Sequence, residues 1–431
     1  MVSRKIIIIC CLLFFVFVAN AQKTDSLLMD ILLKDDDVLM KKILNDKDSF
    51  RLQIIYTQIN RNKCNQPIFT NYYFNVDENI YFNPASTVKL PLAFLSLEKL
   101  NNMKVKGVNK FTSMQFDSSY EKQAKAFVDS TSQTNYPSIA QYIKKAFLVS
   151  DNDAYNRMYE FVGQQTINEK LHDKGYTDTR ITRQFMNFND EQNRHTNQIR
   201  FINNNGNLIY TQPAAYSNFK FNFHKTIKLG KAYLNENDSF INNPMDFTTA
   251  NYLPLHSLQQ LLQSVLFPQS VPKQQRFNLT KNDYKFLYQY LSQYPSETNY
   301  PYYDTSYYYD SYVKFFFKNG SHNLPPYIRV FNKVGWSYGF LTDASYIADF
   351  KNNIEFMLTA TIYVNSDGIL NDNKYDYENT GLPFFYQLAK TLYRYELQRT
   401  RLYKPDLSNF KIKYEKRSVD DKRETIKNTD N

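Results

Sequence analysis

Apolar residues near the start of the chain recur first with the spacing of a helix and then with that of strands. Between Asp25 and Asn45 they fall every three or four positions, which predicts a helix. Two runs rich in Ile, Tyr, Phe and Val follow, Leu52 to Ile59 and Thr70 to Phe82, and they predict a hairpin. A second helix is predicted from Ser86 to Leu100, with Pro91 near enough to its first turn to be tolerated.

The middle of the chain has mainly helical spacing. From Ile139 to Phe161 the pattern predicts helix on both sides of a polar break at residues 149–153. Three later stretches also have helical spacing: His224 to Leu234, Ser257 to Leu266 and Asn282 to Leu291. The tract Tyr300 to Phe317 is dense in Tyr and Phe without a repeat, which predicts a packed or substrate-lining loop.

Strand patterns return towards the C-terminus. Three β-type runs are joined by short turn sequences and predict an antiparallel meander: Tyr327 to Val334, Phe340 to Phe350 and Ile354 to Val364. An amphipathic helix is predicted from Leu382 to Leu397. The highly charged tail after it lacks the apolar density of a core, so residues 405–431 are predicted to be disordered.

These elements predict an α+β fold in one domain, residues 22–404. A five-stranded antiparallel sheet would be assembled from both chain ends, residues 22–85 and 325–404, and flanked by the terminal helices. The remaining residues, 86–324, would form an enlarged all-helical lobe. Such an arrangement is an α/β sandwich with a second lobe at its side.

The first residues have the signature of an export signal. Arg4 and Lys5 precede an apolar run from Ile6 to Val18, and the small residues of Ala19-Asn20-Ala21 follow it. The run is too short to cross a bilayer comfortably. We therefore predict cleavage of residues 1–21 and an exported protein, periplasmic or secreted. Since Cys64 is then the one cysteine left, the mature chain has no internal disulfide.

Composition narrows the classes of function. The formal charge is +10, but export and the lack of any block of basic residues argue against nucleic acid as a partner. None of the five histidines is paired with Cys, Asp or Glu at the spacing of metal ligands, so no metal is expected. With 10 glycines in 431 residues and no glycine-rich phosphate loop, no cofactor is expected either.

Three short motifs hold the candidate chemistry. Ser86 and Lys89 are three residues apart, on one face of a helix and at its N-terminus, where backbone N–H groups favour a developing oxyanion. The same Ser-x-x-Lys spacing recurs at six other serines, so position rather than spacing distinguishes this pair: Ser96, Ser119, Ser217, Ser270, Ser311 and Ser408. Ser150-Asp151-Asn152 lies in the polar break, and Lys333-Val334-Gly335 ends a predicted strand.

In this order, the three motifs resemble the set of the serine β-lactamases and penicillin-binding proteins, and the chain as a whole resembles the class A β-lactamases. The resemblance implies that Ser86 is the nucleophile and Lys89 the base that takes its proton. It implies that Ser150 relays a proton to the leaving nitrogen and that Asn152 holds Lys89 and the substrate amide. The backbone N–H groups of Ser86 and Trp336 would form the oxyanion hole.

The third motif would bind the substrate. The resemblance implies that Lys333 attracts the substrate carboxylate beside Gly335. The family usually has Thr or Ser where this chain has Val334, and Ser337 is the hydroxyl residue that could replace it. The implied substrate is a small-molecule β-lactam or a cell-wall peptide.

One departure concerns the second half of the reaction. Class A enzymes activate the deacylating water with a glutamate some way after the second motif, and matching Thr179 to Gln184 to that loop puts Phe185 at its position. Phenylalanine is not a base. The nearest acids that follow are Asp190 and Glu191, which are also typical solvated loop residues.

Three functions therefore stay open. The first is an exported β-lactamase-related hydrolase that acts through an acyl-Ser86 intermediate. The second, favoured by Phe185, is a penicillin-binding, D-alanyl-D-alanine peptidase-like acyltransferase. The third, suggested by Val334 and Phe185 together, is an envelope binding protein that keeps the fold without catalysis.

Overall fold

The helices and strands follow the predicted order with several differences in detail. The computed structural model describes residues 24–418 and 420–427. The helices are α1 (Ser26–Leu33), α2 (Val38–Asn45), α3 (Lys89–Met103), α4 (Ile139–Leu148), α5 (Asn152–Val162), α6 (Gln164–Asp173), α7 (Leu255–Leu266), α8 (Lys281–Ser292), α9 (Phe315–Lys318) and α10 (Leu382–Gln398). The strands are β1 (Gln53–Arg61), β2 (Pro67–Phe74), β3 (Ser113–Phe116), β4 (Ile199–Ile202), β5 (Leu208–Gln212), β6 (Lys228–Leu229), β7 (Ala232–Leu234), β8 (Phe240–Ile241), β9 (Met245–Asp246), β10 (Ile328–Ser337), β11 (Phe340–Asp349), β12 (Ile354–Tyr363) and β13 (Ile369–Leu370).

The central sheet has the order β10-β11-β12-β1-β2, and its neighbours are all antiparallel. The hairpin from the N-terminal part therefore pairs with the meander from the C-terminal part, since β1 lies against β12. The prediction of an α+β fold with a five-stranded antiparallel sheet from both chain ends is confirmed. Strand β10 is an edge strand of this sheet, and it faces the first two sequence motifs, which lie in the second lobe.

Each face of the sheet contributes to a different core. On β10, Val330 and Val334 belong to a cluster shared with the terminal helices α1, α2 and α10. Phe331, one residue away, belongs to the cluster shared with the helices of the other lobe. Because successive side chains of a strand point to opposite faces, Lys333 lies on the same face as Phe331, towards the other lobe.

The sequence patterns predicted an all-helical second lobe, and this prediction is wrong. Besides α3 to α8 the second lobe contains a three-stranded sheet of β3, β4 and β5, and the short pair β6 and β9. The predicted helix His224 to Leu234 is wrong: β6 and β7 occupy this stretch, and Gly230 between them has φ +74°, which ends any helix.

The first predicted helix is divided in two. Asp37 accepts a hydrogen bond at 2.8 Å from the backbone N–H of Met40 and so caps α2. The buried Asp35 accepts hydrogen bonds from Gln387 and Thr391 of α10. Residues 34–37 therefore anchor the chain to the terminal helix instead of continuing α1.

The charged tail is packed on the body of the protein, which corrects its predicted disorder for the described residues. Phe410 is buried, with ring contacts to Phe267, Tyr288, Phe331 and Tyr346 at 4.8 to 5.4 Å. Arg417 donates to the backbone oxygens of Pro295, Thr298 and Tyr303. A few residues anchor this segment, and the average apolar density of its sequence does not show them.

The predicted signal segment, residues 1–21, lies outside the described residues, as do the last four residues of the tail. Among the helices that the structure describes, none combines the length and apolar character needed to cross a bilayer.

Candidate active site

Ser86 lies in a strained turn at the start of α3. A 3₁₀ turn, Ala85–Val88, leads directly into the helix. Ala85 has φ +43°, an unfavourable conformation for a residue with a side chain, and its N–H donates to Asn83 Oδ1 at 2.9 Å. Such strain persists where the surroundings hold it, commonly at active sites. The turn leaves Ser86 half-buried at the helix N-terminus.

The Lys89 ammonium group is buried beside Ser86. Its Nζ lies 2.7 Å from Ser86 Oγ, which is within reach for proton transfer. Lys89 Nζ also donates to Asn152 Oδ1 at 2.8 Å and to the backbone oxygen of Ser150. The second motif thus holds the lysine of the first, as the resemblance implies for Asn152.

Ser150 bridges the two lysines. It lies between α4 and α5 with φ +64°, and Asp151 after it caps α5 by accepting from the N–H of Ala154 at 2.7 Å. Lys333 Nζ donates to Ser150 Oγ at 2.9 Å, and Lys89 Nζ lies 3.4 Å from the same oxygen. The oxygen of this hydroxyl is therefore within hydrogen-bond distance of both amines.

The electrostatics of Lys333 follow from its position on β10. It is 2% exposed, and its Nζ also donates to the backbone oxygen of Val334 at 2.8 Å. Burial, and then the charge of Lys89, lower the pKa of Lys333 well below its usual value. Two ammonium groups this close in a buried site repel each other, which favours a neutral amine.

Gly335 lets β10 approach the turn of Ser86. A Cβ on Gly335 would lie 2.5 Å from the backbone oxygen of Pro84 and 3.1 Å from the nitrogen of Ser86. Only glycine fits here, and the next residue along β10 is Trp336. The strand therefore brings the backbone of residues 335–336 against the nucleophile turn, as an oxyanion hole requires.

A third buried lysine, Lys314, contacts β10. Lys314 Nζ donates to the backbone oxygens of Leu291 and Val330 and to Asn332 Oδ1, at 2.9, 3.0 and 2.6 Å. Asn332 in turn donates to Asp343 Oδ1 at 2.9 Å. Burial lowers the pKa of Lys314 to about 7 and raises that of Asp343 to about 6.

Ser86 opens into a cleft of about 530 Å³, the size of a small-ligand site. The lining includes Ser150, Asn152, Gly335, Trp336 and Ser337. Its residues come from six tracts of the chain, within 83–86, 149–152, 183–187, 245–251, 312–315 and 334–338. Trp336, the one tryptophan of the chain, is 40% exposed here. Lys89 and Lys333 lie behind this lining.

Phe185 occupies the position at which the resemblance to class A enzymes implies a general base. Its ring is centred 5.1 Å from Lys89 Nζ and stacks on Tyr155 at 4.3 Å. Its N–H donates to Asn156 Oδ1 at 2.8 Å, so its backbone is anchored as well. Asp190 and Glu191 are exposed and do not line the cleft, and the Glu191 carboxylate contacts His195 and Tyr216 at 3.2 Å.

The sequence patterns missed part of the lining. Tyr312 and Phe315, from the aromatic tract, line the cleft, whereas Tyr303 and Tyr308 of the same tract are buried. Arg183 precedes Phe185 in the loop matched to the family, but nothing in its spacing indicated a role. Residues 245–251 have no motif at all.

Comparison with known families agrees with this geometry. Residues 40–219 match the model of a family described as "Beta-lactamase enzyme family". Residues 40–219 are therefore similar to this family. The match includes the first two motifs, and the resemblance predicted from the motifs is confirmed. The strand of Lys333 lies beyond it.

The chain also has distant similarity to solved β-lactamases. One from Xanthomonas campestris pv. campestris is 13% identical, with a TM-score of 0.46 over 86% of this chain and 98% of that one. One from Sphaerobacter thermophilus is 10% identical (TM-score 0.45, 84% and 97%), and one from Francisella tularensis is 17% identical (TM-score 0.44, 82% and 97%). No curated protein is similar enough to count as a match. Among the described residues, no group of three or more His, Cys, Asp or Glu is placed to hold a metal ion.

Proposed function

We propose that this chain is an exported serine hydrolase that attacks a β-lactam or a similar amide and forms an acyl-Ser86 intermediate. The observation that carries the proposal is the 2.7 Å contact between Lys89 Nζ and Ser86 Oγ at the floor of the cleft. A serine needs an adjacent base to become a nucleophile, and a buried amine that can be neutral supplies one.

The first half of the reaction uses groups that are in contact. Neutral Lys89 takes the proton of Ser86 while Oγ attacks the carbonyl carbon. The oxyanion that forms accepts hydrogen bonds from the N–H groups of Ser86 and Trp336. Lys89 passes the proton of Ser86 on to Ser150, which is held by Lys333, while Ser150 gives its own proton to the leaving nitrogen and the C–N bond breaks.

The second half has no evident base. Deacylation needs a water activated near the ester carbonyl. Phe185 occupies the position beside Lys89, and Asp246 is the carboxylate that lines the cleft among the described residues. This observation favours a second candidate, a penicillin-binding acyltransferase of the D-alanyl-D-alanine peptidase type, whose acyl-enzyme lasts until another acceptor arrives.

Covalent labelling tests the proposal. Residues 22–431 are incubated with a fluorescent penicillin, and the protein band is examined after denaturation. We expect labelling that Ser86→Ala abolishes. Ser408→Ala is the matched control, because Ser408 has the same Ser-x-x-Lys spacing on the surface and its removal should leave labelling unchanged. Equal labelling of both variants would refute an acyl-Ser86 intermediate.

Export is tested separately by expressing the full chain in a bacterium with an outer membrane. We expect the protein in the periplasmic or extracellular fraction with Gln22 as its first residue. Full-length protein retained in the cytoplasm would contradict export.

A further inference from the structure

The residue expected to meet the substrate carboxylate is not accessible to it. Lys333 is 2% exposed, its Nζ is engaged by Ser150 Oγ and by the backbone oxygen of Val334, and it does not line the cleft. Val334 is buried and has no hydroxyl to offer a ligand. The Lys333 ammonium group is therefore directed to Ser150 rather than to the open cleft.

Arg183 is a cation that does line the cleft. It is half-buried, and its Nη2 donates to Thr249 Oγ1 at 3.2 Å. No carboxylate of the described residues lies within 4.0 Å of its guanidinium group. A guanidinium has five N–H donors, so most of them are left for a ligand.

The position of Arg183 relative to Ser86 follows from contacts along β10. Lys333, early in the strand, contacts Ser150. Gly335, two residues on, lies against the nitrogen of Ser86. The leaving nitrogen of the substrate, which receives its proton from Ser150, therefore lies towards the Lys333 end.

Arg183 lies at the opposite end. Tyr338, just after β10, has a ring contact with Phe247 at 5.2 Å, and Phe247 is two residues from the Thr249 that Arg183 contacts. Burial raises the pKa of Tyr338 and the charge of Arg183 opposes this shift, as expected for neighbours.

We propose that Arg183 forms an anion subsite for the acyl part of the substrate, the part that stays attached to Ser86. This inference rests on the proposed acyl-Ser86 reaction and names its substrate class: an amide whose acyl portion has a carboxylate. An arginine binds a carboxylate through two parallel hydrogen bonds, which also orients it.

The other charged residue of the lining does not cancel this subsite. Asp246 is exposed, and its carboxylate accepts a hydrogen bond from the N–H of Thr248 at 2.8 Å. Hydrogen bonds from Thr248, and to a smaller extent the charge of Lys228, lower the pKa of the Asp246 carboxylate. Arg183 therefore keeps its charge available within the cleft.

The test compares two penicillins that differ by one carboxylate on the acyl side chain, α-carboxybenzylpenicillin and benzylpenicillin. Rate constants of adduct formation are measured by intact-protein mass spectrometry. We expect the wild type to react roughly tenfold or more faster with the carboxylated compound, the effect of a hydrogen bond to a charged group. Arg183→Gln should lose this preference, so that its two rate constants become nearly equal, since the anion contact is removed.

Two further variants keep the test decisive. Arg183→Lys retains the charge and should keep part of the preference. Arg194→Gln removes an arginine that lies in the same lobe but does not line the cleft, so this variant should keep the full preference for the carboxylated compound. An unchanged preference in a folded Arg183→Gln, or no preference in the wild type, would overturn the subsite but not the acyl-enzyme. A wild type that forms no adduct with either penicillin would overturn both.

Discussion

Phe185 covers Lys89 with an aromatic ring centred 5.1 Å from the ammonium nitrogen. The ring covers one side of the lysine, and Asp246 is the one carboxylate among the described residues that lines the cleft. The same arrangement that keeps Lys89 in a low-dielectric environment, suited to a neutral base, removes the group that would activate a water. Under the proposed function, this one contact predicts fast acylation and slow deacylation.

Phe185→Glu should shorten the life of the acyl-enzyme. A carboxylate at this position can orient and deprotonate a water, and general bases of this kind typically contribute 10²- to 10⁴-fold, so we expect at least tenfold faster loss of the adduct. The decay of adduct mass after removal of free penicillin measures it. Phe188→Glu, in the same loop but outside the cleft lining, is the control and should leave the decay unchanged. Equal decay in the two variants would show that Phe185 does not limit deacylation.

Lys89→Met should abolish acylation without unfolding the protein. Methionine fills most of the volume of lysine but cannot accept a proton, so the rate should fall by about 10² to 10⁴. The free energy of unfolding should change by no more than about 1 to 2 kcal/mol, because an apolar side chain can replace a buried charge.

Lys99→Met is the matched control, since Lys99 is the lysine of the next Ser-x-x-Lys pair on α3. Lys99 Nζ donates to the backbone oxygen of Phe161 at the end of α5, so its loss should lower stability and leave acylation intact. Acylation by Lys89→Met at the wild-type rate would reject Lys89 as the base.

Stability should rise from pH 7 to pH 9, in part because of Lys314. Its pKa falls to about 7 in the folded protein, below the unfolded value of 10.5, so the unfolded chain binds more protons between these values. Stability therefore rises with pH across this window, by at most about 1.4 kcal/mol per pH unit for one group. Urea unfolding at both pH values should show a smaller rise in Lys314→Met than in the wild type. Identical rises would mean that Lys314 titrates normally.

The tail should contribute to stability through Phe410. Phe410→Ala removes a buried ring from a cluster of four others and should cost about 3 to 5 kcal/mol in the free energy of unfolding. Leu402→Ala, at an 87% exposed position, should change it by less than about 0.5 kcal/mol. Chemical denaturation of the two variants compares them, and equal stabilities would favour a tail that is not docked.

The sheet and the chemical motifs were predictable because each depends on local pattern. Alternating apolar residues define β10, β11 and β12, and the turn before α3 places Ser86 at a helix start. The packing of the tail was not predictable in this way, because Phe410 and Arg417 act singly over long sequence distances and leave the segment's average composition polar. The strands β6 and β7 were predicted as a helix because the apolar residues near Gly230 repeat at helical spacing.

The site was predicted in part for the same reason. The sequence named the residues of the three motifs, and the structure brings Ser86, Lys89, Ser150, Asn152 and Lys333 into one hydrogen-bonded group. Which of the charged side chains reach the cleft is decided by burial in the folded protein. Lys333 lies behind the lining, so its expected contact with a substrate carboxylate stays a prediction, whereas Arg183, without a motif, lines the cleft. Exposure of a long side chain depends on tertiary packing, which spacing along the chain does not encode.

The most direct measurement follows the intact mass of residues 22–431 over time after mixing with a penicillin and with a cephalosporin, beside Ser86→Ala. The account predicts an adduct in the wild type, none in the variant, and an adduct that outlasts the removal of free β-lactam because Phe185 replaces the base. A wild type that stays unmodified by both compounds would contradict the central claim that Ser86 is an acylated nucleophile.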